Sequence, residues 1–471
     1  MRLFPRVLRI AFFVAVLALE AGAALAQNAP EGEPAPWRLG QTLSLPDGVR
    51  ISGSIRGRYE VLGNPFVAGR TEDDEFFGLQ SVLDVELDVG GTGLTVGGEL
   101  LDSRFVAGNE TGGAATEIDT LEPSQLYLAW RPHDFLMTGA KLDLTLGRFT
   151  MDVGSRRLIA RANYRSILSP FDGIRAVWTS PDKLAVTLAY TAPVAREPAD
   201  AASAIDNEVA LNRTLDNTRF GVAQVDSPLP FGLRGDLYVM DLDEGDGSDV
   251  ATRNRQLTTV GVRLRKPAAP DQFDFEVELA HQTGSVRATT SAADITPLDH
   301  NAQMAHLETG YSFNAPWSPR IALQYDFATG DKSPSDAESE RFDPLFGDRA
   351  FEFGPTSIYG LVLRSNLSSP AIRIEVKPDN VSDAYVSLRH LRIDAARDSF
   401  ANTAVRDVTG ASGSDVGLQV EGRYRRWLVK DSLRLSVGAA TLFQGDFMKR
   451  APNATGRGNP VYGFTELTWV F

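Results

Sequence analysis

The chain has 471 residues, no cysteine, 61 acidic against 47 basic side chains, and a formal net charge of −14. The lack of cysteine excludes a disulfide framework, thiolate metal sites and a cysteine nucleophile. The acidic excess argues against nucleic acid as a partner, while a mean hydropathy of −0.16 suits either a secreted enzyme or a membrane barrel with a polar interior.

Arg2, Arg6 and Arg9 form a basic start, Ile10 to Leu19 is an unbroken apolar run, and Ala24-Leu25-Ala26 is a small-x-small cleavage site. Residues 1–26 therefore read as a secretory signal peptide, whose apolar run is too short to span a bilayer. Its removal takes away three arginines and Glu20 and leaves a charge of −16. Residues 27–48 hold four prolines and little periodicity, which predicts an irregular periplasmic lead-in. No later apolar run is long enough for a transmembrane helix.

From residue 49 onward the pattern has period 2. Val85, Leu87 and Val89 alternate with Asp84, Glu86 and Asp88; Phe273, Phe275, Val277 and Leu279 alternate with Asp274, Glu276 and Glu278. Ile321, Leu323, Tyr325 and Phe327 alternate with Arg320, Gln324 and Asp326, and the same rhythm runs through Ile372–Lys377 and Val416–Arg423. Eighteen strands are predicted, near 49–61, 78–89, 94–104, 123–131, 141–149, 174–180, 184–192, 218–226, 233–241, 256–266, 272–283, 303–313, 319–328, 370–377, 382–393, 414–426, 432–443 and 460–471. Short turns such as 90–93, 180–183 and 378–381 alternate with long loops at 105–122, 150–173, 193–217, 284–302, 329–369 and 394–413. Thr356 to Ser365 could add a strand, but an odd count would leave one terminus outside, so it is placed in the loop. The chain ends on an alternating strand with a terminal aromatic residue, Phe471. These features predict an all-β fold: over 49–471, a closed antiparallel transmembrane barrel of about 18 strands in a bacterial outer membrane, with short periplasmic turns and long extracellular loops. Val85, Leu87, Phe275, Val277, Leu323 and Trp469 are expected to face lipid. Tyr127, Trp130, Trp178, Tyr190, Trp317, Tyr325, Trp427 and Trp469 are expected in the interfacial aromatic girdles.

Two segments carry more than this pattern. One runs Leu146-Gly147-Arg148-Phe149, then Gly154-Ser155-Arg156-Arg157-Leu158 and Phe171-Asp172-Gly173-Ile174-Arg175. The other runs Tyr325-Asp326-Phe327-Ala328-Thr329-Gly330-Asp331, then Phe342-Asp343-Pro344-Leu345-Phe346-Gly347. Their order and separation resemble the alginate export family of outer-membrane barrels. That resemblance implies an 18-stranded barrel with a basic conduit for an anionic polysaccharide, without specifying alginate as the cargo. The family pattern includes a long periplasmic loop late in the barrel. Here the turn Trp427-Leu428-Val429-Lys430-Asp431 is short, which argues against gating from that side.

The densest basic cluster is Arg148, Arg156, Arg157, Arg161, Arg165 and Arg175. If loop 150–173 folds inward, these guanidiniums line a constriction for carboxylates, which their charge and planar fork suit. The alternative is an exposed loop meeting lipopolysaccharide phosphates or nearby acids. Arg148 is in phase with Leu142, Leu144 and Leu146, so a bulge near Gly147 is required to turn it inward. Asp84, Glu86 and Asp88 could face the basic cluster across the lumen. The acidic run Asp243–Asp249 lacks the ligand order of an EF-hand and reads as a loop tip. His133, His281, His300, His306 and His390 are scattered, with neither an HExxH nor a Gly-x-Ser-x-Gly motif. No cofactor, metal or enzymatic activity is expected. The predicted function is a channel for an anionic polysaccharide or oligosaccharide, with outer-membrane lipid, lipopolysaccharide and periplasmic export proteins as neighbours. The alternatives are a diffusion porin for small organic anions or sugars and, less favoured, an outer-membrane hydrolase using His281 or His306.

Overall fold

The computed structural model describes residues 37–109, 115–162, 164–247, 250–360 and 362–471. The expected signal peptide at 1–26 and the first part of the expected lead-in lie outside the described residues. Eighteen strands form the wall. They are β1 Val49–Gly63, β2 Asp74–Val89, β3 Leu94–Gly108, β4 Asp119–Trp130, β5 Lys141–Thr150, β6 Pro170–Thr179, β7 Ala185–Ala195, β8 Thr218–Pro228 and β9 Arg234–Glu244. They continue as β10 Gln256–Lys266, β11 Gln272–Arg287, β12 Pro297–Ser312, β13 Arg320–Ala328, β14 Leu367–Val376, β15 Ser382–Arg392, β16 Asp415–Val429, β17 Leu433–Gln444 and β18 Val461–Val470. Two-residue strands at Arg213–Thr214 and Glu338–Ser339 belong to loops. Each wall strand pairs antiparallel with the next, and β1 pairs with β18 from Ser54↔Val470 to Gly63↔Val461. The barrel is therefore closed, with both ends of the wall on the short-turn rim. Among the described residues of 356–365 there is no strand.

Several strands run further toward the long-loop rim than the alternation predicts. β2 starts at Asp74, β3 ends at Gly108, and β11 and β12 reach Arg287 and Pro297. Above the lipid the outer face no longer needs apolar residues, so the hydrophobic signal fades before the hydrogen-bond ladder does.

The faces follow the predicted phase. Val85, Leu87, Leu323 and Trp469 are exposed on the outside; Phe275 and Val277 are half-buried on that face, between exposed Phe273 and Leu279. Asp274 and Glu278, on the opposite face of β11, are buried. In lipid an apolar outer surface costs nothing, and ladder closure satisfies every strand's backbone without an edge. Trp130, Tyr190, Trp317, Tyr325 and Trp469 are exposed at the rims, and Trp178 shares the outer face with Ile174. Two expected girdle members point inward instead. Tyr127 donates to Glu86 at 2.8 Å, and Trp427 lies 5.3 Å under the Arg434 guanidinium. In both cases alternation along the strand, not proximity to its end, sets the face.

The seam is tight. Gly53 and Phe471 exchange backbone hydrogen bonds at 3.0 Å, and a Cβ on Gly53 would lie 2.5 Å from the Val82 carbonyl oxygen. Below it, Trp37 stacks on Trp469 at 5.4 Å and Arg38 donates to the Asp431 carbonyl at 2.9 Å. Within the lead-in, Leu39–Thr42 forms one helical turn, α1. The long-loop half of the interior is not open. Phe149, Leu158, Ile159, Phe171, Phe220, Phe342, Tyr359 and Tyr462 belong to one buried apolar cluster there.

Single cysteines at Val85, Leu87, Phe275, Val277, Leu323 and Trp469, labelled with a fluorophore, should be quenched by a lipid-phase quencher. Labels at Asp84 and Glu276 should not be; the reverse pattern would invert the wall.

Candidate functional site

Loop 151–169 follows β5 and turns back through Gly154 at φ 58° and Arg156 at φ 68°. It then runs through the interior to the inner faces of β1 and β2. The Tyr164 carbonyl accepts from Arg58 at 2.7 Å, the Arg165 carbonyl from Arg56 at 2.8 Å, and the Ser166 carbonyl from Gln80 at 2.7 Å. The loop therefore lies inside the barrel. Its orphan carbonyls are satisfied by inward side chains of β1 and β2, as a buried segment requires.

Loop 329–366 packs directly on it. The Phe346 amide donates to the Leu158 carbonyl at 2.9 Å, and the Ala160 amide to the Phe346 carbonyl at 3.0 Å. The Phe346 ring sits edge-on to Phe171 at 5.2 Å and to Phe220 at 4.9 Å. A side chain at Gly347 would collide with the Arg157 carbonyl, so only glycine permits this approach. The two sequence motifs are thus the two halves of one contact. Further along, Tyr359 lies between Phe66 at 5.7 Å and Tyr462 at 5.2 Å, and Ser357 hydrogen-bonds Glu60.

The arginine cluster does not act as one row. Arg157 is buried and bridges Glu276 and Glu278 of β11 to Glu352 of loop 329–366. Burial works against its charge, but Glu278 and Glu276 outweigh burial and hold the guanidinium above the ordinary arginine range. Arg161 pairs with Glu99 at 2.5 Å and Arg165 with Glu117 at 3.0 Å. Arg175 faces inward, 3.8 Å from Asp143 and over the Phe149 ring. Arg148 pairs with Glu122 at 2.7 Å and Asp172 at 2.9 Å. The ladders run through Gly147 without a register break, so the expected bulge is absent. Arg148 stays opposite exposed Leu126, on the outer side of the wall. Arg156 differs from the rest. Among the described residues it has no carboxylate partner, and it lies 4.6 Å over Phe351.

A cavity of about 980 Å³ opens at the periplasmic mouth, lined by Arg265, Arg320, Arg373, Arg423 and Arg425 with Asp274, Glu308, Glu375, Asp383 and Tyr385. A second, of about 340 Å³, shares Glu276, Glu308, Arg320, Arg373 and Glu375 with it and reaches Arg156, Arg157, Phe351 and Glu352. Arg373 and Arg423 both lie on the Tyr385 ring, at 3.8 and 5.0 Å, which fixes their forks beside the cavity. These wall arginines were not singled out from the sequence. The usable signal was the strand phase that puts Arg320, Arg373 and Arg423 opposite the lipid-facing residues. Asp84, Glu86 and Asp88 do face inward, where Arg50 of β1 holds Glu86 at 2.8 Å and Asp88 at 2.5 Å.

His306 Nδ1 lies 2.7 Å from Asp326 and 3.8 Å from Glu352, a spacing that metal ligands share. The carboxylates are already held by Arg389, Arg157 and Arg364, so a cation would meet three guanidiniums. The donor set suits an anion better. In the acidic run 243–249, Asp246 accepts from Arg287 at 2.7 Å and from the Thr252 amide at 2.9 Å, closing the loop; Ser248 and Asp249 lie outside the described residues.

A family model described as alginate export matches residues 48–461. Among solved structures, the chain is similar to the outer membrane protein opdK of Pseudomonas aeruginosa, at 12% identity and a TM-score of 0.56, covering 90% of this chain and 98% of that one. OpdO of the same organism aligns at 11% identity and a TM-score of 0.57, covering 91% and 99%. OccAB4 of Acinetobacter baumannii aligns at 10% identity and 0.56, covering 90% and 98%. No curated protein matches the sequence. At these identities the likeness to solved structures is one of fold.

Arg157→Ala should leave buried Glu278 with no cation at contact distance among the described residues, only the Tyr238 hydroxyl, and Glu352 with Arg364 as its remaining guanidinium, and cost about 3–5 kcal/mol of stability. Urea unfolding of the detergent-solubilised barrel, followed by its heat-modifiable gel shift, measures the loss. Arg156→Ala should leave the midpoint unchanged.

Proposed function

This protein belongs to the alginate export family and is an outer-membrane channel, and we propose that it passes an anionic polysaccharide or oligosaccharide through an arginine-lined lumen. The observation that carries this reading is the convergence of Arg265, Arg320, Arg373, Arg423 and Arg425 on the cavity at the periplasmic mouth. An approaching carboxylate meets these forks first and Arg156 of loop 151–169 next. A chain charge of −14 does not oppose this. Surface carboxylates are screened over about 8–10 Å, whereas guanidiniums in a confined passage act at contact distance.

The loop arginines take different parts in this proposal. Arg156 and Arg157 border the narrower cavity, where Arg156 is the basic side chain without a carboxylate partner among the described residues. Arg161, Arg165 and Arg175 hold loop 151–169 and its neighbourhood to the wall, and Arg148 ties β5 to β4 and β6. Lipopolysaccharide surrounds the outer rim, and periplasmic export proteins deliver cargo at the inner one. The scattered histidines and the absence of a catalytic motif leave no support for a hydrolase.

A second reading is a diffusion channel for small organic anions. It is favoured by the size of the inner cavity, about 340 Å³, which holds a monosaccharide more readily than a polymer segment.

In planar bilayers the protein should give discrete conductance steps and a reversal potential on the anion-selective side. Polyuronate on the periplasmic side should block small-ion current at low salt. Replacing Arg373, Arg423 and Arg425 together with Ala, or Arg156 and Arg157 with Ala, should weaken the block and shift the reversal potential toward cations. An unchanged reversal potential in both variants would remove the anion reading. Passage of glucuronate without any block by polyuronate would favour the small-solute channel.

A further inference from the structure

Glu352 occupies an unusual position for a carboxylate. It lies in the short helix Ala350–Phe353 of loop 329–366, deep in the barrel and only 4% exposed. One oxygen accepts from Arg157, the other contacts Arg364, and its backbone carbonyl accepts from Arg389 at 3.5 Å. Its neighbours Phe351 and Phe353 form a platform for the same guanidiniums: Arg156 stands 4.6 Å over Phe351, and Arg364 and Arg389 stand 4.6 and 4.8 Å over Phe353.

Several guanidinium donors are incomplete here. The Nε atoms of Arg157, Arg364 and Arg389 are buried with no hydrogen-bond partner among the described residues, as are the Glu352 oxygen beside Arg364 and Nε2 of His306, whose Nδ1 faces Asp326. The four basic side chains are at least nine-tenths buried. Leaving such donors incomplete is costly, and a surplus of directed guanidinium N–H groups is how anion sites are built. Glu352 and Arg156 both border the 340 Å³ cavity that shares its wall with the periplasmic vestibule. Between the periplasmic vestibule and the Arg157–Glu352 end of this socket stand the polar side chains that the two cavities share.

We infer that the socket formed by Arg157, Arg364, Arg389 and His306 is a carboxylate-binding site that the chain's own Glu352 fills in the closed state, and that a cargo carboxylate arriving from the periplasmic side takes its place. This rests on the anion-channel reading above. The exchange swaps one buried carboxylate for another, so it carries no net cost of burying charge. It also breaks a bond that matters mechanically: Glu352 is the ionic link from loop 329–366 to Arg157 of loop 151–169. Once released, loop 329–366 keeps the Phe346 contacts, the Asp348 amide bond to the Arg156 carbonyl and the Arg156–Phe351 contact, but no ion pair to loop 151–169 among the described residues, and the closed half of the lumen can loosen. Cargo thereby admits itself, and neutral solutes do not.

The test uses the full-length protein in planar bilayers, with sodium glucuronate and, separately, glucose on the periplasmic side. Glucuronate should raise the wild-type open probability by at least about fivefold, and glucose should not. Glu352→Gln should show that raised open probability without ligand and no further response, while Glu352→Asp, which keeps a carboxylate, should still respond. Folding of each variant is read from its heat-modifiable gel shift. A wild-type channel that ignores glucuronate, or an E352Q channel that gates like wild type, overturns the inference while leaving anion selectivity standing. A wild-type protein without conductance overturns the channel reading as well.

Discussion

Everything in this molecule depends on one requirement: in hydrocarbon, every backbone N–H and C=O must find a partner within the wall. The β1–β18 pairing, ten residue pairs long, meets it by removing the last edge. Closure then dictates the rest. Alternate side chains must face lipid, so leucine, valine and phenylalanine lie outside, and the charged half of each strand is forced inside. A wall of eighteen strands is too wide for those inward side chains to fill, so the interior is completed by chain from the loops. The apolar residues that a soluble protein would place in its core are found here in loops 151–169 and 329–366, packed against inward aromatics of the wall.

The inward charges explain the ion-pair density. A guanidinium confined in the lumen is poorly solvated, and it is tolerable only with a carboxylate at contact distance. Arg157, Arg161 and Arg165 satisfy this by tying loop 151–169 to Glu276, Glu278, Glu99 and Glu117. The wall arginines near the mouth are paired too, Arg373 with Glu375 at 3.0 Å and Arg423 with Asp383 at 3.6 Å, but they lie on a tyrosine face beside open volume, where their remaining donors can meet an incoming anion. The same residue type thus serves as a fastener deep in the barrel and as a receptor near its mouth, and solvent access separates the two uses.

Much of this was legible in the residues. The alternation of Val85 and Leu87 with Asp84 and Glu86, the short-turn and long-loop rhythm, and the terminal aromatic residue were enough to count eighteen strands and to assign their faces. Both quantities are local, because period 2 and turn length are properties of consecutive residues. Strand ends at the outer rim were not legible, since the ladder outlasts the hydrophobic signal there. Tyr127 and Trp427 lie near strand ends yet face inward, because strand phase and not closeness to an end sets the face.

The candidate site divides along the same line. The sequence by itself determined which residues could be anion ligands and which barrel would carry them, because side-chain chemistry and strand period need no partner to be read. Only the tertiary structure decided which arginines are free. Whether Arg157 is spent on Glu276, Glu278 and Glu352, whether Gly147 bulges, and whether Arg373 meets Arg423 across Tyr385 all depend on register and loop packing between segments far apart in the chain. Those are long-range contacts, and a run of residues carries no record of which distant carboxylate will lie within hydrogen-bond reach.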